Sequence, residues 1–180
     1  MTLWTVGHGK RGAGELLDLL CAEEIGLLVD VRRFPASRRN PQFSRAPLEA
    51  TLASRGVGYQ WWGETLGGRR RPLPSGSRHP AWNDPAFRAY ADHLDRPEVR
   101  EAFSQLLSLS GQGHTAIMCS ETVWWRCHRR LLSDAAELAG TPVVHLVAPG
   151  RTQAHVLHPA LRRGEDGWPV YDVGVQSELS

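Results

Sequence analysis

Five short apolar runs, separated by segments with helical spacing, constrain this 180-residue chain more than any other feature. The runs cover residues 3–6, 27–31, 56–62, 115–118 and 143–147. Continuous apolar runs of this length fit strands covered on both faces. Between the first two, Leu16, Leu19 and Leu20 recur at helical spacing over 15–24, and Gly26 marks the stop. Pro47 suits the first turn of a helix running to about Ser54. Further helices are expected over 85–94 and 98–109, with Gly111 and Gly113 ending the second. A last helix should follow the fourth run and stop at Gly140-Thr141-Pro142.

Strands alternating with helices predict an α/β fold: one domain over 1–180, with a mainly parallel sheet of about five strands and helices on both faces. Two stretches lack either period. Residues 63–84 read as a long loop or lid rich in Arg, Gly and Pro. Residues 148–180 read as mostly irregular, with a short strand near 170–173.

In such a sheet ligands bind outside the carboxyl ends of the strands. Those ends deliver His8, then Asp30 and Arg32, then Glu64, then Cys119 and Glu121, then Pro149-Gly150. The richest stretch is 117–130, where Cys119 and Glu121 lead into Arg126, Cys127, His128, Arg129 and Arg130. A thiol before a helix N-terminus and near cations is nucleophilic, and free amides in that helix would add to an anion site. Arg126, Arg129 and Arg130 are spaced to share one helix face. Cys127 aligns with Leu131, Ala135 and Leu138, which places it toward the core. Glu121 is an acid or base, or the partner of an Arg. His8 and His128 are proton carriers, ligands or hydrogen-bonded structural residues. Asp30 closes an apolar run and needs a partner, so an ion pair with Arg32 or Arg33 stands beside a catalytic role.

The anion theme recurs elsewhere. Lys10 is the only Lys among 21 cations, and Arg clusters at 32–39 and 69–71 beside Phe34, Phe43, Trp61 and Trp62. Cations and stacking surfaces of this kind suit phosphate and bases. Three cysteines are too few for a disulfide scaffold and fit a reducing compartment. No run of about 18 apolar residues and no N-terminal leader are present, so a cytoplasmic location without membrane insertion is expected. A metal is not expected. The Cys119-x7-Cys127-His128 spacing is not a standard zinc spacing, and on a helix Cys127 and His128 would point apart. A phosphatase-like Cys-x5-Arg cradle fails by one residue, because position 125 is Trp.

Thr5-Val6-Gly7-His8, Asp30-Val31-Arg32 with Pro35 and Ser37, Leu66-Gly67-Gly68 and Cys119-x-Glu121-x5-Cys127-His128-Arg129 occur in this order. Together they resemble the domain of unknown function 488 family. The tail from Pro149 to His155, followed by Tyr171, is also similar to that family's C-terminal region. One departure is Gly9, where the family commonly has Ser. The resemblance implies a compact α/β domain with a shared polar site and supplies no reaction and no cofactor. The residues therefore predict an enzyme, a hydrolase or transferase acting on a phosphate-bearing small molecule or nucleic acid. Cys119, Glu121, His8 and Asp30 would be its catalytic groups, and Arg32, Arg126, Arg129, His128 and Gly7 would hold the anion. A non-catalytic nucleotide-binding module and a thiol-redox or metal-binding protein are the alternatives. The oligomeric state is not legible.

Overall fold

The computed structural model of the chain describes residues 1–175. The apolar runs form the strands β1 (Leu3–Gly7), β2 (Leu27–Asp30), β3 (Gly58–Trp61), β4 (Thr115–Cys119) and β5 (Val143–Ala148). They pair in parallel, and a further strand, β6 (Arg151–Ala154), adds antiparallel to β5, giving the order β3-β2-β4-β1-β5-β6. The connecting helices are α1 (Ala13–Ala22), α2 (Arg45–Ala53), α3 (Gly63–Leu66), α4 (Pro85–Leu94), α5 (Pro97–Gln112) and α6 (Arg129–Leu138). An antiparallel pair, β7 (Leu161–Arg163) and β8 (Pro169–Tyr171), forms a separate ribbon.

The strand alternation divides the core in two. Val6, Leu28, Ala116 and Met118 face one side, where Leu16 and Leu20 of α1 and Leu48 and Leu52 of α2 cover them. Leu3, Val29 and Ile117 face the other, against Tyr90 of α4, Phe103 of α5 and Leu132 of α6. The chain leaving β1 enters α1 on one face of the sheet, and the chain leaving the neighbouring β4 leads to α6 on the other face. Outgoing loops that diverge in this way open a crevice at the carboxyl ends of the two neighbouring strands. Register sets Gly7 opposite Cys119, so His8 and the 119–122 segment stand on the two lips of that crevice. Among the described residues no helix is long and apolar enough to cross a membrane.

The α/β architecture stands as expected, with three corrections. Beyond β5 the chain is more ordered than predicted, because β6, β7 and β8 are short, and β6 is wholly exposed and carries no apolar run. Residues 63–84 begin with the helical turn α3. The last helix starts at Arg129 and not near residue 121. Trp124–Arg126 form a 3-10 turn, and Cys127 has extended backbone (φ −131°, ψ 150°). The expected Arg126–Arg129–Arg130 helix face therefore does not exist.

Candidate functional site

A cavity of about 1070 Å³ opens above the carboxyl ends of β1, β2 and β4. Its lining includes seven cations (Lys10, Arg32, Arg33, Arg38, Arg39, Arg69 and Arg126) against two carboxylates, Asp84 and Glu121. His8, Cys119, Cys127 and His128 also line it.

One wall is built on a buried ion pair. Arg32 directs Nε at both Asp30 oxygens (2.9 and 3.1 Å) and Nη2 at Oδ2 (2.6 Å), while its backbone N–H donates to Oδ1 (3.0 Å). Tyr59, from β3, donates its hydroxyl to Oδ2 at 2.8 Å. Burial, then the Asp30 charge, keep that phenol protonated above its usual range. Arg32 Nη1 remains to donate to His8 Nε2 at 3.2 Å. Because His8 Nδ1 lies 2.9 Å from the Gly9 carbonyl, it must carry the ring proton, which leaves Nε2 as the acceptor. Burial lowers the His8 pKa to about 4, with the Arg32 charge acting in the same direction, and Phe43 stacks on the ring at 4.3 Å. His8 is thus a neutral imidazole locked in one tautomer. Gly9 adopts a left-handed φ of +52°, and the Thr122 hydroxyl occupies the place of the side chain it lacks.

The cavity floor holds the sulfur groups. Cys119 ends β4, Cys127 follows the 3-10 turn with extended backbone, and His128 (φ −57°, ψ −17°) is the residue from which α6 starts. His128 Nδ1 lies 3.8 Å from Cys119 Sγ and 3.6 Å from Cys127 Sγ. Its Nε2–H donates to the Val31 carbonyl at 3.1 Å, so the Nδ1 lone pair faces the thiols. Tyr90 packs edge-on against the ring at 4.9 Å. A Cβ on Gly68 would lie 2.9 Å from Nδ1, so a residue without a side chain lets the Gly67-Gly68 loop pass over the imidazole. A hydrogen bond to Cys127, then burial, raise the Cys119 thiol. Burial works against ionisation of Cys127 too, but the Cys119 hydrogen bond and the Arg129 cation outweigh it and lower that thiol.

Behind the floor runs a buried polar chain that the sequence does not announce. Arg129, 1% exposed, donates to Thr5 Oγ1 (3.1 Å) and to the Glu121 carbonyl. Thr5 Oγ1 lies 2.7 Å from His145 Nδ1, His145 Nε2 lies 3.0 Å from His155 Nδ1, and His155 Nε2 lies 2.9 Å from Asp134 Oδ1. Tyr171 donates to Asp134 Oδ2 at 2.9 Å. A carboxylate can only accept, so His155 donates through Nε2, His145 through Nε2 and Thr5 through its hydroxyl. The chain then runs in one sense from the Arg129 cation to the Asp134 anion.

A family model described as a domain of unknown function, DUF488, matches residues 13–136. The chain belongs to the DUF488 family. The matched span carries Asp30, Arg32, Gly68 and the whole Cys119–His128 floor of this DUF488 protein, while His8 lies just before it. No curated protein matches the chain, and neither does any solved structure.

Of the residues singled out from the sequence, His8, Arg32, Cys119, Glu121, Arg126 and His128 line the cavity together. Asp30 lies behind Arg32, and Arg129 lies beneath the floor. Gly7 supports the lip, because a Cβ there would collide with the Glu121 backbone. Cys127, expected in the core, is buried yet faces the cavity, since it precedes the helix whose periodicity assigned it inward. Its pairing with His128 was readable only from their adjacency.

Proposed function

We propose that the protein is an enzyme, a hydrolase or transferase, acting on a phosphate-bearing substrate of nucleotide or nucleic-acid type bound in this cavity. The charge of the lining carries the reading: seven cations face two carboxylates on a chain whose net charge is only +2. Six of the seven are Arg, whose planar fork suits the paired oxygens of a phosphate. Phe34, 60% exposed in the same lining, offers a face on which a base can stack. Reactive groups on the floor favour catalysis over binding alone. Cys119, Cys127, His8 and His128 meet the substrate cavity at the sheet's switch point, while Asp30 serves to hold Arg32.

The test is binding of a labelled nucleotide or short oligonucleotide to the purified protein, followed across a salt series. The logarithm of the affinity should fall linearly with log salt, as counterion release requires. Arg126→Ala should weaken binding by about tenfold, the size of one charge-assisted phosphate contact of about 1.4 kcal/mol. Cys119→Ala should abolish phosphate release or strand cleavage while affinity persists. Affinity indifferent to salt would sink the anion reading, and turnover surviving Cys119→Ala would remove the floor from the chemistry.

A further inference from the structure

We infer that Cys119, Cys127 and His128 form a three-ligand site for a thiophilic divalent cation of the Zn2+ class, with the fourth position open to the cavity. The inference concerns the floor alone and does not depend on which anion the cavity binds.

The geometry is that of a tetrahedral ion's ligands. The two sulfurs stand 3.8 and 3.6 Å from His128 Nδ1, and all three donor atoms lie within 4.8 Å of one another. Zinc bonds of about 2.3 Å to sulfur and 2.0 Å to nitrogen, at tetrahedral angles, put S and N about 3.5 Å apart and two sulfurs about 3.8 Å apart. The two observed sulfur–nitrogen separations are within a few tenths of an ångström of that figure, and the two sulfurs stand within 4.8 Å of each other, so closure on an ion needs only modest movements.

The imidazole is prepared for the role. Ligating histidines typically donate their second N–H to a carboxylate or backbone carbonyl, which fixes tautomer and ring plane. His128 does this through the Val31 carbonyl, presenting Nδ1 to the sulfurs. Tyr90 packs edge-on against the ring, and the Gly68 backbone passes close to Nδ1. The spacing that speaks against zinc on a helix loses its force, because Cys127 is extended and lies outside α6, so its thiol and the His128 ring converge on one point.

Three protein ligands and one open position are the pattern of zinc sites that act on substrate, whereas structural sites are closed by four. All three ligands line the cavity, so the vacant direction faces the cationic lining. Two thiolates and a neutral imidazole would cancel the charge of the ion, leaving the surrounding arginines to bind the anion. Thiolate donors select against Mg2+ and Ca2+. The other cluster of suitable residues, His79, Asp92 and Asp95, is already committed: Asp95 pairs with Arg78, His79 and Arg100, and Asp92 accepts from Ser77.

The full chain, reduced and stripped with a chelator, is loaded with Zn2+, desalted and analysed for metal. Wild type should retain one equivalent, and so should Cys21→Ser, which alters the exposed thiol. Cys119→Ser and Cys127→Ser should each bind at least about 100-fold more weakly, beyond the loss typical of outer-shell changes. Should either variant misfold, Co2+ added to wild type gives an independent readout, in which thiolate-to-cobalt charge transfer and intense visible bands report a tetrahedral sulfur site. Wild type with reduced thiols that retains no Zn2+ and shows no such bands overturns the site. Full retention by Cys119→Ser does the same, as does a Cys119–Cys127 disulfide forming in a protein that never takes up metal. Oligonucleotide binding measured on the stripped protein separates the two proposals, because its failure would count only against the phosphate-bearing substrate.

Discussion

Asp30 and Arg32 decide between structure and chemistry through the directions of their hydrogen bonds. Each Asp30 oxygen accepts from Arg32, and Oδ2 also takes the Tyr59 hydroxyl, so the carboxylate is fully engaged and fully buried. Removing one partner of a buried pair leaves an uncompensated charge and costs about 3–5 kcal/mol, whereas replacing both by apolar residues is often neutral. Asp30→Ala should therefore lower the unfolding free energy by that amount, read as a lower urea midpoint at unchanged m-value, and Asp30→Leu with Arg32→Met should recover most of it. A small loss for Asp30→Ala, with turnover abolished, would return Asp30 to the chemistry. That Asp30 pairs with a nearby cation was legible in the sequence, because a carboxylate closing an apolar run needs one, but the choice between Arg32 and Arg33 was not. Tyr59 was not legible, since strand register alone brings it there from β3. Cys127 is buried, as its spacing predicts, but that spacing to Leu131 and Ala135 imitates a helical series that begins only at Arg129, so its access to the cavity was not legible.

At the level of elements, α6 is anchored by hydrogen bonds as much as by its apolar face. Leu131, Leu132, Ala135 and Ala136 pack into the core, yet the same helix buries Arg129 and Asp134 at opposite ends of the Thr5–His145–His155 chain. His155→Phe would keep the volume and orphan two groups, the His145 N–H and one Asp134 acceptor position. Each buried unpaired group costs about 1–3 kcal/mol, so the variant should melt well below wild type, with the largest rise in amide exchange in α6. A loss under about 1 kcal/mol would mean the chain is not continuous. None of its long-range contacts follows from periodicity. Apolar patterning located β1, β2, β4 and β5 because central parallel strands are buried on both faces, and β3, an edge strand, by its aromatic residues, whereas polar partners 140 residues apart, such as Thr5 and His145, are set by the finished fold. The same limit hid β6, whose exposed Arg151-Thr152-Gln153-Ala154 has no apolar face to reveal it.

Across the whole molecule the cations are concentrated and four histidines, His8, His79, His93 and His145, are buried, and the second fact sets how the fold responds to acid. Burial lowers the His93 pKa from 6.5 to about 4, and the nearby Arg70 and Arg96 charges assist, against a Thr65 hydrogen bond and Glu98. Burial lowers His145 further, to about 2, helped by His155 and Arg129. Both rings are thus neutral in the folded state at a pH where the unfolded chain has already protonated them. Between pH 6.5 and about 4 the unfolded state binds more protons, so stability must fall as pH falls through that window. Below it His93 contributes no further slope, while His145 continues to do so. The exposed carboxylates Asp166 and Asp172 are held below their ordinary value of 3.8 by Arg100 and Arg162, so they add their losses only in stronger acid. The acid limb between pH 6.5 and 4 is accordingly a histidine effect. Melting temperature recorded from neutral pH downward should begin to drop near 6.5, and His93→Gln, which can still donate to the Thr65 carbonyl, should flatten the slope in that window. A melting temperature constant down to pH 4 would show that these imidazoles are hydrated or charged in the native protein, contrary to their burial.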